Sequence, residues 1–332
     1  MYMRDILDCD LASGFFDPGS YSKSEILAQG KGKKEKWKGN FQLPTSNFQP
    51  KLIALTRSRI FTKGIRHIKL KLAFLRRTKF LADYDTVIFS GDCLAAVRNV
   101  RPDAKKIFYC HTPPRYIFDK REWYEKQLSK HYRFVYPLIR PIYRWVRDKF
   151  EQAYREDIAQ MDIVVTNSKE VQARVKKYFG IDTQIIHPPV DIARFCSQWT
   201  MNNEQWITDP HNSQLTTHNL PSKGFYLFFG RLAEFKRVDV IIEAFRHMPD
   251  KRILITYGKN DPIKDKLIKQ AKGLENVDFC TDVDDDEAVW LLGNAIATIY
   301  IPKDEDFGMV PIESMACGTP VIGVHEWGLK ET

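Results

Sequence analysis

No apolar run in this 332-residue chain approaches the roughly 20 residues that span a bilayer, so no transmembrane helix is expected. The opening residues Met1 to Ile6 lack an apolar signal core, and secretion is not expected either. The six cysteines are scattered, and none forms a Cys-x-x-Cys pair. That excludes a common zinc module and suits free thiols in a reducing cytoplasm. Acidic residues are missing between Lys36 and Ala82, where twelve Lys or Arg occur. Such a run is either a solvated face or a surface that meets phosphates, whether lipid headgroups or nucleic acid. What is present is ordinary globular composition, 43% hydrophobic and 28% charged, with a net charge of +9. A chain of 38.8 kDa is more than one core usually accommodates, so two domains are expected.

Past residue 83, short β-branched runs alternate with helical patterns. Thr86–Phe89, Lys106–Cys110, Asp162–Thr166 and Gln184–His187 read as strands, with a helix after Ser90-Gly91-Asp92 through about Val100 and another from Lys169 to Tyr178. Ser168 is placed to cap the second helix. The polar stretch before Ser222 lacks periodicity and reads as a linker. A second series follows, with strands at Phe225–Phe229, Arg252–Thr256, Val277–Cys280, Ile296–Ile301 and Val321–Val324. The acids Asp284 to Glu287 open a helix, where they suit the positive end of its dipole. The expected fold is α/β, with two Rossmann-like doubly wound domains: residues 1–190, a linker or insertion over 191–222, and residues 223–332.

Two clusters carry chemistry. Gly230, Arg231, Lys236 and Arg237 lie between a strand and the start of a helix, where ligands bind in open α/β sheets. Cations sit badly at a helix N-terminus, and a bound anion such as a diphosphate removes the conflict. A solvent-exposed basic turn balanced by Glu234 and Asp239 is the plainer alternative. In the second cluster, Gly308 permits close backbone approach, while Glu305 and Glu313 lie eight positions apart in a loop and a first helical turn. That spacing can aim both carboxylates into one crevice, although Glu313 has an alternative role stabilising its own helix. His111 ends a strand before two stiffening prolines. No metal site is expected from Asp304 and Asp306, because acidic pairs of that spacing recur elsewhere in the chain.

Gly230-Arg231 with Lys236, Glu305-x7-Glu313 around Phe307-Gly308, and Gly318 to Ile322 resemble the donor domain of the retaining GT-B glycosyltransferases of family 4. Tyr109 to Tyr116, Val165 to Ser168 and Pro188 to Asp191 resemble a bacterial mannosyltransferase-like, cell-envelope branch of that family. The similarity runs from about Tyr84 to the last residue, outside the linker. It implies a metal-independent hexosyltransferase for polysaccharide synthesis that uses a nucleotide-diphosphate sugar, with GDP-mannose favoured, and no cofactor. Arg231 and Lys236 would hold the diphosphate, and Glu313 the ribose. Glu305, with the backbone of Phe307, Gly308, Met309 and Val310, would hold the sugar, and His111 would reach it from the acceptor side. The resemblance also implies that a first strand with its Gly-rich turn and a last helix lie beyond these 332 residues, so a fragment is expected.

Ile65, Ile68, Leu72 and Leu75 share a helical face among basic residues, and residues 131–150 mix aromatics with arginines. Basic amphipathic surface of this kind lies on anionic membranes. The expectation is a cytoplasmic protein, peripheral on the inner face of the cytoplasmic membrane through residues 36–82 and 131–150, with a glycan or lipid-linked acceptor. The competing readings are an inactive nucleotide-sugar binder, a related sugar phosphorylase and a basic nucleic-acid binder. No nucleic-acid recognition module is readable, so no nucleic-acid partner is expected.

Overall fold

The computed structural model describes residues 11–13, 52–54, 66–196 and 224–332. The basic stretch up to residue 65 and most of the expected linker, residues 197–223, lie outside the described residues. The chain divides into two compact units, Met1–Val165 with Tyr178–Thr183, and Thr166–Lys177 with Gln184–Thr332.

In the first unit β1 (Leu11–Ser13) pairs in parallel with β2 (Leu52–Ala54). Helix α1 (Arg66–Arg77) leads to β3 (Thr86–Ser90) and β4 (Lys105–Cys110), which pair in parallel. Inward Val87 and Phe89 of β3 alternate with exposed neighbours, as a strand covered on one side requires. The segment expected as a helix between these strands is a 3-10 turn, Leu94–Asn99. Leu94 to Val97 are buried in succession, which leaves no polar face for an amphipathic helix. Helices α2 (Arg121–His131) and α3 (Tyr136–Ile158) follow, then β5 (Ile163–Thr166). Helix α4 (Lys169–Phe179) begins where expected, because the Ser168 hydroxyl accepts the Val171 amide at 3.1 Å. Strand β6 (Gln184–Ile185) ends the sheet order β3-β4-β5-β6, and β6, α5 (Ile192–Cys196) and most of α4 fall in the second unit.

The second unit carries β7 (Phe225–Phe228), α6 (Val238–Arg246), β8 (Arg252–Tyr257), α7 (Lys264–Gln270) and β9 (Val277–Thr281). Helix α8 (Asp285–Asn294), β10 (Thr298–Tyr300), α9 (Met309–Ala316) and β11 (Val321–Gly323) complete it. Asp284 and Glu287 close a full capping box on α8, as their order in sequence implies. The sheet runs β11-β10-β7-β8-β9, and its neighbouring strands pair in parallel. Along β7 and β8 the two faces bury different partners. Phe228, Ile253 and Ile255 pack with Ile241 and Phe245 of α6, while Phe225, Leu227 and Leu254 pack with Val289 and Leu292 of α8. Both faces are therefore dry, and the strands read as nearly continuous apolar runs. The chain builds outward from β7 to β9, then returns to place β10 on the other side of β7. That reversal makes a crevice at the carboxyl ends of β7 and β10.

Candidate active site

Both sequence clusters of the second unit sit at this switch point, one after β7 and one after β10. The Gly230 turn is held by its neighbour strand. Gly230, at φ 144°, donates its amide to the Thr256 hydroxyl at 3.1 Å. The Asp261 carboxylate accepts the Leu232 and Gly258 amides at 2.7 and 2.8 Å. Leu232 is fully buried, and Arg231 before it is exposed. A 3-10 turn (Glu234–Lys236) and Arg237, at φ 55°, then lead into α6.

Lys236 turns back across the crevice. Its Nζ lies 2.7 Å from Glu305 Oε2, donates to the Tyr300 hydroxyl and sits 4.6 Å from the centre of the Tyr300 ring. The charge conflict expected at the α6 N-terminus is thus relieved, for Lys236, by a carboxylate from the other cluster. Burial, with Glu305 close by, pushes the Tyr300 phenol far above its ordinary pKa, so it stays protonated.

The loop after β10 is tied down at several points. Lys303 donates its amide to Phe235 O at 2.7 Å, which joins the two clusters by backbone. Gly328 donates to Glu305 O at 3.1 Å. The Ser168 hydroxyl donates to Asp306 O, and Arg174 pairs with the Asp306 carboxylate. The Phe307 ring is buried and stacks on His187 at 5.1 Å. The part of Phe307 available to a ligand is therefore its backbone. Gly308 has φ 99° and precedes α9, whose first residues Met309 and Val310 present first-turn amides. An added Cβ on Gly308 would lie 2.5 Å from Leu329 Cδ2.

Glu313 is the fifth residue of α9, not a first-turn acid, and the first turn of α9 contains no acid at all. Its role as a stabiliser of its own helix start is removed, because that effect fades within one turn. Burial raises the Glu313 carboxyl above the ordinary carboxylate pKa, with Arg194 of α5 opposing the shift. A raised native pKa means that ionised Glu313 costs stability at neutral pH, and that the cost disappears as pH falls through the native pKa. Glu313→Gln is expected to melt slightly higher than the parent at pH 7 and equally at acid pH. Melting curves across that range check this, and a lower melting point at pH 7 would refute it.

In the first unit, His111 follows β4 as expected. Its Nε2 lies 2.9 Å from the Ser90 hydroxyl at the end of β3, and its ring meets Tyr109 edge-on at 4.9 Å. Desolvation by the surrounding protein pushes its pKa below the usual value, so the ring is neutral near pH 7.

Sequence reasoning missed Tyr300, the Thr256 and Asp261 anchors, and the Ser168 and Arg174 ties. The sole sequence signal for Tyr300 is its place two residues before Pro302 at the end of a strand. Asp306, weighed as a metal ligand and set aside, is engaged by Arg174. Among the described residues no group of three or more His, Cys, Asp or Glu is placed to hold a metal ion.

Residues 44–194 match the family described as Glycosyltransferase Family 4, and residues 216–332 match Glycosyl transferases group 1. An alpha-1,3/1,6-mannosyltransferase ALG2 of Homo sapiens is 25% identical over 272 residues, covering 76% of this chain and 60% of that protein. Its Dictyostelium discoideum counterpart is 25% identical over 256 residues, covering 69% and 56%. The chain thus spans less than two thirds of the length of these relatives. The solved structure of WaaG, a glycosyltransferase involved in lipopolysaccharide biosynthesis, aligns over 97% of this chain and 83% of its own, with a TM-score of 0.58 at 16% identity. At that identity the likeness is one of fold.

Proposed function

The chain belongs to the GT-B glycosyltransferases of family 4, and on that premise we propose that the protein transfers a hexose from a nucleotide-diphosphate sugar to a glycan or lipid-linked acceptor. The observation that carries this reading is the meeting of Lys236 and Glu305, 2.7 Å apart, with Glu305 in the loop that runs into the N-terminus of α9. A cation next to free helix N–H groups suits a diphosphate, and a neighbouring carboxylate suits sugar hydroxyls. Arg231 and Lys236 take the diphosphate, with Lys236 shared between it and Glu305. Glu313, one turn into α9, takes the ribose hydroxyls. Glu305 and the backbone of Phe307, Gly308, Met309 and Val310 hold the sugar. His111 contributes from the acceptor side as a neutral donor.

The reaction retains configuration. The acceptor oxygen bonds to the anomeric carbon on the face from which the diphosphate departs, and the leaving phosphate oxygen takes the acceptor proton. No covalent nucleophile is then needed. The build-up of charge on the leaving group is met by Lys236, Arg231 and helix N–H groups, without a metal. Mannose is the favoured sugar and GDP the favoured nucleotide, since the ALG2 relatives are mannosyltransferases. The product belongs to cell-envelope polysaccharide synthesis. The protein works in the cytoplasm, at the inner face of the cytoplasmic membrane, and takes no nucleic-acid partner.

The test is a thermal shift of the chain with GDP, UDP and ADP, with and without their sugars, followed by transfer from the stabilising donor. One nucleotide is expected to raise the melting temperature well beyond the other two. A folded chain that responds to none of them overturns the donor site.

A further inference from the structure

Residues Lys130 to Arg147 contain five Lys or Arg and no acid, interleaved with aromatics, and the sequence leads one to expect a basic amphipathic membrane contact there. The structure gathers three of those charges on one acid, with Arg147 covered and Arg140 and Arg144 still exposed at the surface. Glu125 of α2 is mostly covered and receives Arg140, Arg144 and Arg147 of α3 at 3.2, 2.7 and 3.3 Å. These arginines recur at i, i+4 and i+7, and so form one stripe of the helix. Leu138, Ile142 and Trp145 recur at the same interval, offset by two residues, which is about 200° of helical rotation and therefore the opposite face. That face is bare, with Leu138 79% exposed, Ile142 64% and Trp145 63%, and Phe134 in the turn before the helix is 89% exposed. Four large apolar side chains in a row at such exposure are not the scattered surface apolars of an ordinary protein.

The ends of the row carry charge. Arg133 is exposed and stands 5.9 Å from the centre of the Phe134 ring, and exposed Lys149 follows Trp145 by one helical turn, next to Asp148, whose charge is taken up by Arg147 at 2.8 Å. The occupant of the row must therefore accept apolar contact along its length and cations at both ends. A second copy of this chain fits poorly, because pairing the row with itself brings the same cations together. A bilayer with anionic headgroups fits both parts. No described helix is long and apolar enough to cross a membrane, so the contact is a shallow one along the helix.

We infer that α3 lies in the interfacial layer of an anionic bilayer, with Phe134, Leu138, Ile142 and Trp145 among the acyl chains and Arg133 and Lys149 on lipid phosphates. This deepens the proposed function, since it rests on an acceptor that is itself lipid-linked. It specifies which side chains enter the bilayer and makes apolar insertion, rather than charge, the main source of the attachment.

The two modes respond differently to salt, because screening weakens surface charge attraction and leaves apolar burial in place. Sedimentation of the chain with vesicles of phosphatidylcholine containing phosphatidylglycerol, at 0.1 and 1 M NaCl, separates them. Most of the binding is expected to survive 1 M NaCl. The triple variant Leu138→Ser, Ile142→Ser, Trp145→Ser is expected to partition at least tenfold more weakly and to keep its melting temperature. Arg133→Ala with Lys149→Ala is expected to lose mainly the preference for phosphatidylglycerol. Binding that vanishes in 1 M NaCl, or that the triple variant retains, overturns insertion. So does a chain that sediments as a dimer and becomes monomeric in the triple variant without any change toward vesicles. Nucleotide binding, followed by thermal shift in the same variants, is expected to be unchanged. If it is missing in the parent while vesicle insertion persists, the enzymatic reading fails and the membrane contact stands.

Discussion

Lys236→Ala is expected to lower transfer efficiency by about 10²- to 10³-fold, the loss typical of removing one group that meets charge in a transition state. It is also expected to abolish most of the thermal shift by the nucleoside diphosphate. The cause is double. The substitution deletes the cation proposed for the diphosphate, and it leaves Glu305, only 20% exposed, without its 2.7 Å partner. Glu305→Ala is expected to cost a comparable factor in transfer while leaving the nucleoside diphosphate shift largely intact, because its proposed contact is with the sugar. Since the two side chains touch, the double variant is expected to lose less than the product of the single losses. Steady-state kinetics of the four proteins checks this, with circular dichroism to confirm folding. Multiplicative losses would mean that the pair seen here plays no part in the working enzyme, and an undiminished nucleotide shift in Lys236→Ala would remove the diphosphate assignment.

Gly328→Ala is expected to destabilise the second unit by about 1–3 kcal/mol, as overpacking a rigid site does. Its added Cβ would overlap the Asp306 carbonyl and lie 2.7 Å from Phe307 N. These are backbone atoms of the loop that Ser168 and Arg174 already hold, so the loop cannot step aside cheaply. Donor affinity is expected to fall with stability, because the same loop positions Glu305 and Gly308. Gly308→Ala provides the contrast. Its Cβ meets the far end of the Leu329 side chain, and the φ of 99° adds backbone strain. Leu329→Ala is therefore expected to recover part of the loss in Gly308→Ala and nothing in Gly328→Ala. Urea unfolding of the two pairs decides it. Rescue of both would mean that the Gly328 obstacle is not backbone.

The α/β character, the strand series and the two clusters were legible in the amino-acid sequence because each depends on local pattern. Apolar runs such as Phe225–Phe228 mark strands covered on both faces, and Asp284 with Glu287 marks a helix start by chemistry confined to four residues. The special positions of Gly230 and Gly308 were also local, since backbone conformation at φ 144° and 99° favours residues without a Cβ. The tertiary structure decided what these residues face. Sheet order β11-β10-β7 brings Lys236 to Glu305 across 69 positions of chain, and no spacing rule predicts a contact made by strand adjacency. Ser168 and Arg174 reach Asp306 across 138 and 132 positions by side-chain contacts from the segment after β5, which no local pattern announces. The arginines of α3 show the limit most clearly. Their sequence reads as a cationic face, and only the packing of α2 beside α3 gathers that stripe on Glu125 and leaves the row of Leu138, Ile142 and Trp145 bare on the opposite side.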